Sequence, residues 1–225
     1  MLGTTLERLR RVLEAGLSSA ASVYEREADG RLVYRGVRPG DEWEGHGTFA
    51  RMLFTLRSGA LTRITVHKQR WRRRGTTETC HSRPPDDIAS VWFCSLIVIS
   101  TLWDWLSADE GLYRHEPMIE PLAERPSART KQRWLERALP HADETAAALR
   151  RAVIERSEPR PMESHVGGGL SPPEDRRRWA DPRAVSTLRS GLSLLLEGAV
   201  ALDVHVSLLL AEARGRQLVR QPWLL

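Results

Sequence analysis

Residues 88–106 (IASVWFCSLIVISTLWDWL) make an apolar run broken by one charge, Asp104. A run of this length either crosses a bilayer or is buried on all sides inside a globular core. Its flanks are acidic (Asp86, Asp87, Asp109, Glu110), with no Lys/Arg cluster to mark a cytoplasmic side, and hydroxyl residues dilute it. The run therefore reads as a buried central helix, with a membrane anchor as the alternative. Pro84-Pro85 opens it, and Asp86 and Asp87 serve as the acids of its first turn.

A helix buried all round needs a shell, and the remaining sequence supplies one of mixed character. Residues 4–22 place Leu6, Leu9, Leu13 and Leu17 at helical spacing around Arg8, Arg10 and Arg11, unlike a signal peptide. From Arg31 the pattern changes to alternation (RLVYRGV, TFARMLFTL, LTRITVHKQRW) punctuated by Gly40, Gly45, Gly47 and Gly59, which predicts three antiparallel strands. Helices are expected at 112–123, at 127–139 between the N-cap Ser127 and the stop Pro140, and at 143–156. A Pro- and Gly-rich linker covers 157–180. Asp181 then caps a last apolar helix, 182–203, with Pro182 at its first position, and a short helix follows at 206–214. The expected class is α+β, mostly α. It comprises an N-terminal helix (1–30), a small antiparallel β unit (31–80), a helical domain (84–156), the linker, and a C-terminal helical segment (181–225).

Charge directs the functional reading. Lys and Arg total 34 against 29 acids, a net charge of +5, and only Lys68 and Lys131 are lysines. The basic residues are clustered. Alternation up to Val66 marks the third strand, and the turn that follows concentrates Lys68, Arg70, Arg72, Arg73 and Arg74, cations that repel one another unless a polyanion neutralises them and releases its counterions. Trp71 among them is suited to stacking on a base. A solvated strand edge kept from aggregating by charge is the alternative.

The second cluster lies in GLYRHEPMIEPLAERPSARTKQRWLERALP (111–140), where a short helix, a polar turn and a second helix match a helix-turn-helix. Thr130, Trp134 and Leu135 should face the core. The first turns carry Arg129, Lys131, Gln132 and Arg133, and Ser127, Arg129, Gln132 and Arg133 are left for phosphates and base edges. An ordinary helical hairpin with an Arg-rich outer face is the competing view.

The segment SARTKQRWLERAL resembles the recognition helix in the N-terminal regions of bacterial insertion-sequence transposases and their stand-alone relatives, where a zinc ribbon runs into a helix-turn-helix. WEGHGTFAR (43–51) is similar to the strand after the first CxxC knuckle, and HKQRWRRRGTT (67–77) to the strand carrying the second. The resemblance covers roughly 31–140. It puts the four zinc cysteines near Val37, Gly40, Trp71 and Arg74, none of which is a cysteine, so it implies a degenerate ribbon without zinc, held by packing of Trp43, Phe49, Phe54 and Trp71. It further implies DNA recognition without strand transfer.

Catalytic signals are thin. Gly167-Gly168-Gly169 lacks the Lys-Ser/Thr of a phosphate-binding loop, and His141, His165 and His205 have no partner at motif spacing. Cys80, His81 and Cys94, with His46 and His67, match no common zinc pattern, and two cysteines are too few for a disulfide framework. The expectation is a cytoplasmic, non-enzymatic protein with no metal or cofactor and no membrane partner. It binds nucleic acid, DNA in preference to RNA, or else serves as a backbone-binding or scaffold subunit of a larger ribonucleoprotein or defence complex.

Overall fold

The computed structural model describes residues 23–57, 60–88, 91–107, 126–157 and 181–215. The helix expected at 4–22, the first helix of the helix-turn-helix at 112–123, all but the first residue of the 157–180 linker, and the tail after 215 lie outside these residues.

The described chain is α+β. Its sheet comprises β1 (Glu25–Arg26), β2 (Leu32–Tyr34), β3 (Trp43–Arg57), β4 (Ala60–Arg73) and β5 (Thr79–His81). The alternation seen in sequence becomes a long hairpin in which Phe49, Arg51 and Leu53 of β3 stand opposite Lys68, Val66 and Ile64 of β4. The sheet is mixed, which corrects the antiparallel expectation. Strand β4 inserts between β2 and β3, antiparallel to β3 and parallel to β2, with Leu32 opposite Val66. Strand β5 continues the β2 side of β4, setting His81 opposite Arg70. Within the hairpin the register shifts between Gly45 and Thr48, where Gly47 has φ 76°, a left-handed conformation that favours glycine at a bulge.

The apolar run does form a central helix, but α1 spans Ser95–Ser107 and begins seven residues later than expected. A non-local competitor explains the delay. The Phe54 amide donates to the Trp92 carbonyl and the Cys94 amide to the Phe54 carbonyl (2.9 Å), so residues 92–94 pair with the edge of β3 before the helix can start. Asp86 and Asp87 consequently do not cap α1. Both are buried beneath the sheet.

The later helices follow their sequence signals closely: α2 (Ala128–Ala138), α3 (Ala142–Arg156), α4 (Pro182–Ala201) and α5 (Val206–Gly215). The Thr130 amide donates to Ser127 Oγ (3.2 Å), and the Arg183 amide donates to Asp181 Oδ1 (3.0 Å), so both expected N-caps are in place. Helices α3 and α4 approach closely at glycines, where a Cβ on Gly191 would fall 2.9 Å from Ala146 Cα and one on Gly198 2.7 Å from Val153 Cγ1. One continuous apolar core joins Leu32, Leu53 and Val66 of the sheet to Leu102, Trp105, Leu149, Leu192 and Leu210 of the helices. The described parts of the β unit, the helical domain and the C-terminal segment thus share a single interior. Among the described residues no helix is long and apolar enough to cross a membrane.

Candidate nucleic-acid interface

Strand alternation divides the basic end of β4 into two faces. Val66, Lys68, Arg70 and Arg72 share the face toward the helices, while Trp71 and Arg73 point the other way. The helical layer ends partway along that first face, so neighbouring cations meet different fates.

Lys68 is 1% exposed and donates to Asp87 Oδ2 at 2.6 Å. Its charge is spent inside the protein, which corrects its assignment to a phosphate-contacting group. Arg51, which sequence reasoning overlooked, completes the cluster. Its guanidinium lies 3.0 Å from Asp87 Oδ1 and donates to the carbonyls of Ile88 (3.2 Å) and Val91. Burial pulls the Lys68 ammonium below its usual pKa, and the Asp87 carboxylate opposes that pull. Beside this pair the Tyr24 hydroxyl donates to Asp86 Oδ1 (2.8 Å), and Arg214 of α5 donates to the carbonyls of Pro84 (3.3 Å) and Asp87 (3.0 Å). Burial lifts the Asp86 carboxyl to about 6 and pushes the Tyr24 phenol further up from its ordinary value. This centre ties residues 84–88 and Val91 to the sheet.

Beyond the helical layer the arginines are exposed. Arg72 donates to Glu44 Oε1 through Nη2 (2.7 Å) and Nε (3.2 Å), and Arg73 lies 3.4 Å from Glu78. The hydrogen bonds from Arg72 hold the Glu44 carboxyl below its usual range. The Arg74 charge also acts on the Glu44 carboxylate, and the Arg74 amide donates to the Glu42 carbonyl (2.8 Å); the Arg70 side chain has no acidic partner among the described residues. Trp71 is not offered for stacking. It is half-buried opposite Cys80, and its indole N–H donates to Ser82 Oγ (3.0 Å).

In place of Trp71, an unforeseen aromatic stands on the face of Arg70. Phe49, expected to hold the unit by packing, is 41% exposed, and its ring centroid lies 5.5 Å from that of His81 and 5.7 Å from Lys68 Nζ.

On α2, Trp134 and Leu135 face the core as expected, and Thr130 is half-buried. Trp134 meets Phe93 edge-on at 5.3 Å, and Phe93 stacks on Phe54 at 5.0 Å. Lys131 is also buried, at 4% exposure, because it sits three residues before Trp134 on the inward face; it is removed from the free cations. Gln132 donates to Glu136 Oε1 (2.9 Å). Arg129 and Arg133 are exposed, lie one turn apart on the outer face, and occupy the N-terminal half of a helix with no acid in its first turn.

The two basic groups do not merge. From Phe54, which reaches α2 through Phe93, to Glu44, which holds Arg72, the strand runs ten residues, roughly 30 Å at about 3.3 Å each. A shallow cleft of about 630 Å³ between α2, α3 and α4 is lined by Glu136, Asp143, Glu144 and Asp181 with Arg183 and His141, a charge balance that repels phosphate. Among the described residues no group of three or more His, Cys, Asp or Glu side chains is placed to hold a metal ion. The Cys94 thiol is fully buried and pushed up to about 12, which makes it a packing group. No family model, curated protein or solved structure matches the chain.

Proposed function

We propose that this chain is a non-catalytic nucleic-acid-binding protein of mobile-element type. It holds double-stranded DNA through α2, as the second helix of a helix-turn-helix, and through the basic end of the β3–β4 hairpin. The observation that carries the reading is the uncompensated charge of Arg129 and Arg133. A helix N-terminus carries about half a positive charge, which disfavours cations and welcomes anions. Arg129 stands in the first turn with no acid there to relieve it, and Arg129 and Arg133, one turn apart, repel each other by a few tenths of a kcal/mol. A phosphate backbone removes both penalties.

The hairpin adds Arg70, which has no acidic partner among the described residues, and Arg74, at the far end of β4 from Arg63, the partner of Phe54. The degenerate-ribbon reading draws support from the bond between the Arg74 amide and the Glu42 carbonyl, which brings the two former knuckles together. It also draws on Arg38, whose guanidinium donates to the carbonyls of Trp43 (2.5 Å) and Asp41 (2.6 Å) and so pins the first knuckle without a metal. Val37, at 91% exposure, projects away from that turn.

The test is binding of selected and random duplexes across a salt series. Affinity should fall linearly on logarithmic axes as salt rises. Arg129→Ala and Arg133→Ala should each lower the slope by about one phosphate contact, and loss of a base contact should cost about 1–3 kcal/mol on the selected site only. Absence of salt-dependent binding at about 50 mM salt defeats the proposal.

A further inference from the structure

We infer that Phe49 and His81 form a stacking step for an unpaired nucleobase, flanked by the arginines of the hairpin end. The inference rests on the nucleic-acid reading above and deepens it by naming what this second contact takes.

Three adjacent strands build the step. Phe49 stands opposite Lys68 and His81 opposite Arg70, so the two rings meet over β4 between those positions, 5.5 Å apart and tilted by 55°. Phe49 lies where the helical layer ends, which leaves 41% of it exposed, while most large apolar side chains of this face are sealed in the core. An exposed aromatic on a sheet face gains little from burial, but it is suited to stacking because every base has a π-face. Its orientation is fixed from below. Lys68, anchored to Asp87 at 2.6 Å, sits 5.7 Å from the ring centroid, a cation–π contact that restrains the phenyl group. His81 has its pKa lowered by desolvation and by the nearby Lys68 charge, so it stays a neutral, flat ring at physiological pH.

The surroundings identify the occupant. Arg70 and Arg72 continue the same face and Arg74 follows; the Glu44 carboxylate lies beside Arg72 and its charge reaches Arg74, while Arg70 has no acidic partner among the described residues. An aromatic platform bordered by guanidinium groups fits a base whose own phosphates reach the arginines. In an intact duplex the base faces are covered by neighbouring pairs, so the occupant is a single-stranded or splayed segment.

The experiment uses short single-stranded oligonucleotides, deoxyribose and ribose, each with one internal 2-aminopurine. Binding to the native chain should quench the 2-aminopurine fluorescence on at least one backbone. Phe49→Leu should abolish the quench and weaken binding roughly 5- to 150-fold, the cost of one stacked base, with the salt slope unchanged because the arginines remain. Phe49→Trp should restore the quench, and thermal melts of both variants should match the native chain because the position is half-exposed. If the native chain binds with a normal salt slope and Phe49→Leu changes neither quench nor affinity, the stacking step is wrong and the phosphate contacts survive. If the native chain binds neither oligonucleotides nor duplex, the nucleic-acid reading itself falls and takes this inference with it.

Discussion

The ammonium of Lys68 sits 2.6 Å from Asp87 Oδ2, and Arg51 approaches the other oxygen of the same carboxylate at 3.0 Å. A buried ammonium and a half-buried guanidinium thus share one anion, so the three residues are unequal under mutation. Asp87→Ala leaves both cations uncompensated and should cost about 3–5 kcal/mol. Lys68→Met leaves the Arg51–Asp87 pair intact and should cost clearly less. Chemical denaturation of both variants decides this, and equal losses would show that Arg51 does not share the carboxylate. Neither stable variant should alter the salt slope of nucleic-acid binding, because Lys68 is not presented to solvent.

Asp86 gives the fold a dependence on pH. Its folded-state pKa is raised to about 6 by burial, above the ordinary value near 3.8. A raised pKa means that the folded protein holds the proton more tightly, so the contribution is complete below about pH 4 and is lost as pH rises through about 6. The group is almost wholly buried, and a shift of this size corresponds to about 3 kcal/mol. Stability measured against pH should therefore show a downward step between pH 4 and 7. Asp86→Asn should flatten that step while keeping an acceptor for the Tyr24 hydroxyl. An unaltered profile in the variant would assign the step to another group.

Glu44 restrains the hairpin end. Its carboxylate takes two hydrogen bonds from Arg72, so the guanidinium has to leave it before meeting a phosphate. Glu44→Gln should therefore strengthen binding to every sequence and steepen the salt slope by up to one contact. Because the pair is exposed, folding stability should hardly move. Arg70→Ala should act oppositely, flattening the slope by about one. Weaker binding by Glu44→Gln would mean that the pair preorganises the arginine.

Gly191 and Gly198 set the spacing of α3 and α4. Alanine ordinarily stabilises a helix interior by about 1 kcal/mol over glycine. Here the new methyl group would meet the Ala146 backbone at 2.9 Å or the Val153 methyl groups at 2.7 Å. Overpacking costs about 1–3 kcal/mol and should outweigh the propensity gain in both variants. The obstacle at Gly198 is a side chain, so Val153→Ala should partly rescue Gly198→Ala. No such partner exists for Gly191→Ala, because its obstacle includes main chain. Melting curves for the single and double variants give the coupling directly.

The legible parts of this fold were those decided within a few residues. Ser127, Pro140, Asp181 and Pro182 punctuate helices by contacts one turn away; alternation located the strands, although β4 runs on to Arg73 through residues expected in a turn. Contacts reaching across the sequence stayed hidden. Asp86 and Asp87 read as helix caps because Tyr24 and Lys68, which claim them in the core, are 62 and 19 residues distant. The start of α1 was misplaced because β3 recruits residues 92–94. The candidate site was half legible. Arginine-rich segments announce themselves, but nothing local tells buried Lys68 from exposed Arg70, whereas Lys131 lies three and four residues before Trp134 and Leu135 and its burial follows from that spacing. Phe49 looked like a packing residue because the resemblance made it one of the aromatics holding a ribbon without zinc, and sequence does not show where the helical layer stops.

The bonds from Arg214 to the carbonyls of Pro84 and Asp87 have a consequence for synthesis. They join positions 130 and 127 residues apart, so the loop beneath the sheet waits for all the intervening chain before it gains these donors. Until then its carbonyls must be satisfied by water, and the β3–β4 hairpin has no fixed floor. Non-local closure of this kind slows folding. The nascent hairpin therefore carries Lys68 uncovered among its arginines until the helical layer is complete.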